Sequence, residues 1–479
     1  MNKNKFKDYN LSEPVQRALT LMGYDEPTEV QKQSIPVLQR DCDLIIKSET
    51  GSGKTAAFAI PVIDAIDWDE NAPQVLVLTP TRELAQQVRE EMFNIGRFKR
   101  MKVVAVYGKT PIKSQIKDLK QKTHIVTGTP GRVLDHIKRE TLDLSQIKYL
   151  VLDEADEMLN MGFVDQLNEI LMALPLGYTM TMLSATFPED LSEICHHYMS
   201  NPEIIEIEKK TTHHRIEQLR YNVSKETKID ALLDLTVVEN PESCIIFCNT
   251  RLQVDTVYET LEAKGYSCQR LHGGMEQDDR TQIMAKFKKG YFRYLVATDV
   301  AARGIDVDDI SLVVNYDLPE DSEVYIHRIG RTGRKDKLGK AISLVASDAY
   351  LLKSIEALAE VELKISELPT PEAVEANRGA FNERLNKRPQ LKKEKHQELH
   401  RDIMKLHINA GKKTKMRAGD VVGALCNIEG VTQDDIGNIS ITDVSTFVEI
   451  LNDKGPMVLK ALQKKPIKGR LRTVSRANS

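Results

Sequence analysis

Apolar residues in this chain fall in short, near-continuous runs: Leu44-Ile45-Ile46, Val75-Leu76-Val77-Leu78, Val103-Val104-Ala105-Val106, His124-Ile125-Val126-Thr127, Tyr149-Leu150-Val151-Leu152 and Thr181-Met182-Leu183. Runs of this length, separated by helical stretches, predict a parallel sheet whose strands are buried on both faces. A second series begins near residue 215, with Ser243 to Phe247, Cys268 to Leu271, Tyr294 to Ala297, Leu312 to Val314 and Ala341 to Leu344. The rhythm then stops. From Ser366 to His400 there are 13 charges and three prolines in thirty-five residues without sustained apolar periodicity, which reads as a polar connector, helical only from Gln390 on.

Past residue 400 strand and helix alternate again: Ile403 to Ile408, a helix from Ala418 to Cys426, Ile436 to Thr442, Thr446 to Leu451, a helix from Pro456 to Leu462, and Arg470 to Val474. That β-α-β-β-α-β order is the small α+β sheet of RNA-recognition modules. The pattern divides the chain into an α/β domain over 1–208, opened by helices between Phe6 and Leu38, a second over 209–365, a linker over 366–400 and a module over 401–479.

A chain of 479 residues and 54.2 kDa is too long for one core, in keeping with this division. Net charge sharpens the picture. The whole chain carries −3, but residues 401–479 hold 14 Lys and Arg against 8 Asp and Glu, a net +6 that leaves −9 for residues 1–400. A basic module on an acidic body points to a polyanion partner for the module. No apolar run approaches a bilayer span and no signal-peptide core follows Met1, so the chain is expected to be cytoplasmic. The six cysteines are scattered; Cys244 and Cys248 share one apolar strand, and neither they nor the His196-His197, His213-His214 and His396/His400 pairs have the second cluster a metal site needs.

Candidate chemistry begins at Ser48-Glu49-Thr50-Gly51-Ser52-Gly53-Lys54-Thr55, between an apolar strand and the helix-forming Ala56 to Ile60. Glycines let backbone N–H groups curl around phosphate oxygens, Lys54 reaches the outer phosphates, and the Thr55 hydroxyl at the helix start suits Mg²⁺. The strict phosphate-loop pattern has Gly where this chain has Ser48. Upstream, the side-by-side donor and acceptor of Gln31 match the edge of adenine. Asp153, at the end of another strand, is a second Mg²⁺ ligand, and Glu154 beside it can deprotonate an attacking water. In a doubly wound sheet these strand ends share one edge, where ligands bind. The second domain has no phosphate loop; instead Arg328, Arg331 and Arg334 lie within seven residues, arginines that could neutralise a transferring phosphoryl group from outside.

Taken in order, these motifs make residues 1 to about 365 resemble a DEAD-box RNA helicase: Gln31 with Phe6 upstream, Ser48 to Thr55, Pro80-Thr81-Arg82-Glu83-Leu84-Ala85, Thr129-Pro130-Gly131-Arg132, Asp153-Glu154-Ala155-Asp156, Ser184-Ala185-Thr186, Thr298 to Asp306 and His327 to Arg334. The C-terminal module resembles the RNA-binding domain of the DbpA subfamily, whose members bind a hairpin of large-subunit ribosomal RNA and act in its assembly. The resemblance implies two RecA-like domains in tandem and an RRM-like third, RNA-dependent ATPase and helicase activity with ATP and Mg²⁺, a monomer, and 23S ribosomal RNA as partner.

It assigns Phe6, Tyr24 and Gln31 to adenine, Thr50, Gly51, Ser52, Gly53, Lys54 and Thr55 to phosphates and Mg²⁺, Asp306 to the ribose, and Arg331 and Arg334 to the γ-phosphate. Asp156, Ser184 and Thr186 couple the ATP site to the RNA surface. RNA itself falls to Pro80, Thr81, Arg82, Gly108, Thr129, Arg132, Gln277, Arg280 and Thr298. One departure is Lys109, where the family usually has a second glycine.

In the module, Phe447 is the only Phe, Tyr or Trp, so base stacking on the sheet is poorly supplied. Lys412, Lys413, Lys415 and Arg417, with Arg470 on the last strand, are better placed by type to meet phosphates. Two other functions remain open on the residues: an ATP-dependent RNA clamp that does not unwind, and an ATPase acting on DNA.

Overall fold

The computed structural model describes residues 5–48, 52–207, 216–299, 310–333, 339–359, 361–387, 391 and 402–477. In the first domain the strands are β1 Leu44–Lys47, β2 Val75–Leu78, β3 Val103–Val106, β4 Ile125–Gly128, β5 Tyr149–Leu152, β6 Thr179–Ser184 and β7 Glu203–Glu206. They form one parallel sheet in the order β3-β4-β2-β5-β6-β1-β7. Val75, Leu76, Val77, Leu78, Leu150, Val151 and Leu152 are fully buried, because helices cover both faces. β7 escapes the sequence pattern: it is an edge strand that buries only Ile205. The helix Lys54–Ala65 lies against the sheet and buries nearly every residue. Pro61 within it leaves the Ala57 carbonyl without its helical N–H donor, and the Ser34 hydroxyl lies 3.5 Å from that oxygen.

The second domain repeats the winding. Strands β8 Ile216–Asn222, β9 Cys244–Phe247, β10 Cys268–Leu271, β11 Tyr294–Ala297, β12 Leu312–Asn315, β13 Gly339–Val345 and β14 Lys364–Ile365 take the order β10-β11-β9-β12-β13-β8-β14, again parallel. Strand for strand this matches the first sheet. The expected connector begins differently from its sequence reading: Pro371–Asn386 is a helix that packs on the second domain. Val374 and Phe381, two turns apart, enter that domain's core, with Phe381 against Tyr266 at 5.2 Å. Val374, Phe381 and the partly buried Leu385 are the large apolar side chains in its sixteen residues, too sparse a signal. Gln390, where helix was expected to begin, lies outside the described residues.

The module forms a four-stranded antiparallel sheet, β16 Ile436–Ile441, β17 Thr446–Ile450, β15 Met404–Ile408 and β18 Val474–Arg476 in spatial order, with the helices Ala418–Cys426 and Gly455–Leu462 on one face. Its last strand is displaced from the expected Arg470 to Val474. Arg470 instead closes a tight turn against Ile467, with Lys468 and Gly469 both left-handed (φ 52° and 71°). Among the described residues no helix is long and apolar enough to cross a membrane.

Candidate active site

The strand order sorts the candidate residues by itself. β5, β6 and β1 are consecutive in the first sheet, so Asp153 and Glu154, Ser184 to Thr186, and the phosphate loop emerge side by side. β3, β4 and β2 form the other half and deliver Gly108, Thr129 to Arg132, and Pro80 to Arg82. One edge thus carries both groups of candidate residues side by side.

At the phosphate loop, Gly53 caps the helix with φ 90°, and a Cβ there would stand 2.6 Å from Gln31 Nε2, so conformation and space both demand glycine. Gln31 is buried; its Nε2 donates to the Gly53 carbonyl (3.1 Å) and its Oε1 accepts from Thr28 N (2.9 Å). It braces the loop. Phe6, buried, meets Tyr24 edge-on at 5.9 Å, and the Tyr24 hydroxyl donates to Glu91 (2.9 Å). Lys54 Nζ donates to the Ser48 carbonyl (2.8 Å), and the Ser48 and Ser52 hydroxyls are 3.1 Å apart, so the non-glycine residue at position 48 helps shape the loop. Thr55 is half-buried one residue into the helix. Thr50 and Gly51 lie outside the described residues, as do Asp306 and Arg334.

Asp153 is 3% exposed, and burial pushes its carboxyl up to about 7, with Lys54 opposing and Glu154 adding to the rise. Glu154 holds a left-handed backbone (φ 53°), unusual for a non-glycine residue and a form of strain that collects at functional sites. Its carboxyl too is raised, first by burial, against the pull of Lys54, Arg331 and His327. Two neighbouring acids raised by burial mark this strand end as a candidate site for ligand chemistry.

Asp156 ties the two strand ends together. Its Oδ2 accepts from Ala185 N (3.0 Å), Thr186 N (2.8 Å) and Thr186 Oγ1 (3.0 Å), while the Ser184 hydroxyl donates to the Thr186 carbonyl.

The second domain completes the picture from across the cleft. His327 Nδ1 lies 3.1 Å from Glu157 Oε1, on the helix that Glu154 caps. Arg331 is buried, with Nε donating to the His327 carbonyl (3.3 Å). Arg328 departs from the expectation that all three arginines seek an outside anion. It is 2% exposed and donates from Nε and Nη2 to Asp299 (2.5 and 2.7 Å), from Nη2 to Asn249 (2.9 Å) and from Nη1 to the Asp317 carbonyl (2.6 Å). Its anion is internal.

On the other half of the edge, Arg82 Nη1 donates to Gln277 Oε1 (2.7 Å), Gln277 Nε2 to Glu83 Oε1 (3.1 Å), and Arg280 Nη2 pairs with that same oxygen at 2.7 Å. Four residues from two domains close one network. Thr81 caps its helix by accepting from Leu84 N (3.2 Å), and Arg132 donates to the Thr110 carbonyl (3.1 Å) and Gln115 (2.9 Å). Pro80, Thr129 and Thr298 are buried.

Comparison with known proteins decides what this edge belongs to. The DEAD/DEAH box helicase family matches residues 28–194, the helicase conserved C-terminal domain residues 227–336, and the DbpA RNA binding domain residues 405–476. The ATP-dependent RNA helicase DbpA of Bacillus subtilis is 51% identical over 475 residues, 99% of each chain. The chain belongs to the DEAD-box ATP-dependent RNA helicases.

The helicase is also 41% identical to the DEAD-box ATP-dependent RNA helicase CshA of Bacillus subtilis over 383 residues, 79% of this chain and 78% of that one. Among solved structures, S. cerevisiae Dbp5 bound to RNA and ADP BeF3 superposes with a TM-score of 0.70 at 30% identity, over 80% of this chain and all of that one. As an RNA-dependent ATPase the helicase uses ATP. For Mg²⁺, the Thr55 hydroxyl and the buried Asp153 carboxylate are a hard-oxygen pair that fits an ion held mainly by phosphates and water. Among the described residues no group of three or more His, Cys, Asp or Glu could hold a metal.

Position 109 resolves the departure from the family pattern. Lys109 takes the left-handed backbone itself, at φ 58°, so the helicase keeps a glycine-like turn with a lysine side chain exposed on it. In the module, Lys412, Lys413, Lys415, Arg417 and Arg470 are all exposed. Lys415 is left-handed, and its carbonyl accepts from Lys468 Nζ (2.6 Å), which folds the basic loop against the Lys468 turn. His327, Glu157 and Glu83 went unassigned in the sequence, because a pairing across two domains leaves no mark on local spacing.

Proposed function

We propose that this helicase separates short RNA duplexes locally, that its C-terminal module directs it to a hairpin of 23S ribosomal RNA, and that it acts as a cytoplasmic monomer in large-subunit assembly. The observation that carries the reading is the pair of cross-domain networks, Glu157 to His327 beside the acids and Arg82–Gln277–Glu83–Arg280 beside the RNA-side strand ends. Each site is split between the same two domains, so a ligand in either favours their contact. Binding of one therefore assists binding of the other.

In this reading Lys54 and the loop around Gly53 hold the phosphates, with Phe6, Tyr24 and Gln31 on the base and Asp306 on the ribose. Thr55 and Asp153 hold Mg²⁺, which screens the phosphate charge when bound. Glu154 takes the proton of the attacking water, and Arg331 and Arg334 meet the charge that develops on the γ-phosphate. Asp156, with Ser184 and Thr186, passes the state of the nucleotide to the RNA side. There Pro80, Thr81, Arg82, Gly108, Thr129, Arg132, Gln277, Arg280 and Thr298 grip backbone and 2′-OH groups rather than bases. The helix opened by Thr129 bends one strand where a duplex partner cannot follow. Loss of the γ-phosphate releases the arginines and the domains part.

The address is tested by ATPase rate over a panel of ribosomal RNA fragments and matched DNA, for the full chain and for a chain lacking residues 401–479. The expected result is stimulation by RNA and not DNA, with a preference for one hairpin-bearing fragment that the shortened chain lacks. Equal preference in the shortened chain overturns the address, and ATP hydrolysis without strand displacement of a short duplex overturns unwinding.

A further inference from the structure

The module's sheet has one face on its own core and one turned outward. Leu406, Ile408, Val448 and Ile450 belong to the core, so their alternates Lys405, His407, Phe447 and Glu449 lie on the outward face, joined by Ser440, which stands opposite Phe447 in the register. In RRM-type sheets this is the face that stacks bases. Here the β16–β17 half of it meets the first domain.

Glu449 Oε1 accepts from Arg97 Nη2 at 3.1 Å, and the two residues are only 9% and 4% exposed, although Lys405, the register neighbour of Glu449, is exposed. The Ser440 hydroxyl donates to Gln121 Oε1 (3.2 Å), an oxygen that also accepts from Lys102 Nζ (2.6 Å). To either side Arg17 donates to Asn452 Oδ1 and Arg100 to the Gln433 carbonyl. Three separate segments of the first domain thus reach four positions of the module. A buried ion pair gives specificity more readily than stability, since desolvating both charges costs several kcal/mol. A charged pair at the centre with polar contacts around it is therefore a device for register.

We propose that the β16–β17 half of this sheet is a docking surface for the first domain, keyed by Arg97 and Glu449, and that it is a protein contact in place of a base-stacking platform. The module is thereby held in one orientation on the helicase core, with the side chains of Lys412, Lys413, Lys415 and Arg417 still exposed beside the contact. This inference does not depend on which RNA the module recognises.

The test uses the full chain without RNA, with a fluorescent donor on exposed Glu140 and an acceptor on exposed Glu429, attached by chemistry that spares the native cysteines. Arg97→Glu and Glu449→Arg should each lower transfer efficiency by at least half, and the double variant, with the charges exchanged, should recover most of it. Ser440→Arg, which leaves the module's core untouched, should lower transfer as well. Unchanged transfer in the single variants overturns the proposal, as does a double variant no better than either single. Amide exchange in β15 and β17 reports module folding; collapse of that protection in Glu449→Arg passes the decision to Arg97→Glu and Ser440→Arg.

Discussion

The two large domains have the same sheet, wound in the same order, and do opposite things with charge at the strand ends. In the first, β5 ends in Asp153 and Glu154, acids whose burial is not fully compensated and whose carboxyls are raised. In the second, the structurally equivalent strand β12 runs into Asn315 and Asp317, and the charge beside them, Arg328, is wrapped by Asp299, Asn249 and the Asp317 carbonyl. The difference separates function from architecture on one scaffold. The raised acids mark the candidate site, whereas a charge wrapped by partners of its own domain holds that domain together.

The strongest way to break this comparison lies within one loop. Arg331→Ala should cut RNA-stimulated ATPase by roughly 10³-fold or more, the range for removing an arginine that faces a transferring phosphoryl group. A variant with near-normal turnover would leave Arg331 as structural as Arg328. Next comes Glu154→Gln, which keeps shape and removes the base; kcat should drop by about 10²–10⁴ while ATP still binds, read by single-turnover kinetics beside equilibrium nucleotide titration.

Arg328→Ala is the inverse experiment. Removing it strands Asp299 without its bidentate partner, and breaking a buried pair in this way costs about 3–5 kcal/mol. The expected outcome is early melting of the second domain in denaturant or heat, with activity lost through unfolding. Stability within about 0.5 kcal/mol of the parent chain, a surface-like effect, would dissolve the distinction.

These residues also mark how far the sequence could be read. The strand runs at Val75, Tyr149, Cys244 and Tyr294 were plain because a strand buried on both faces has to be apolar throughout. Edge strands β7 and β14 and the helix Pro371–Asn386 were not, because each buries too few residues to set a rhythm. In the site, Lys54, Asp153 and Glu154 stood out since one loop or strand end supplies their chemistry. Arg328 was grouped with Arg331 by spacing alone. Only its position in space, beside Asp299 and Asn249, shows that its anion is internal. The pairings of His327 with Glu157 and of Arg97 with Glu449 span two domains, and no local pattern records such distances.

The smallest effect tests the same rule on a carboxylate. Asp435 in the module is as buried as Asp153, yet its carboxyl moves the other way: burial alone would raise it, but hydrogen bonds from Asn452, Lys454 and Thr432 outweigh that and hold it well below the usual carboxylate range. Oδ1 accepts from Asn452 Nδ2 (2.8 Å), and Oδ2 from Thr432 N (2.7 Å), Thr432 Oγ1 (2.9 Å) and Lys454 Nζ (2.8 Å). A carboxyl depressed in the folded state adds stability that is complete above its unfolded value, about 4, and is lost as pH falls below that toward the folded value. Module strands in the parent chain should therefore keep their amide protection down to roughly pH 4 and lose it progressively below. Asp435→Asn should cost about 1–3 kcal/mol near neutral pH, since an amide turns donors toward donors, and should flatten the acid dependence. An unchanged acid profile in Asp435→Asn would show that its four partners do not make this charge structural, and the contrast with Asp153 would have to rest on something other than partner count.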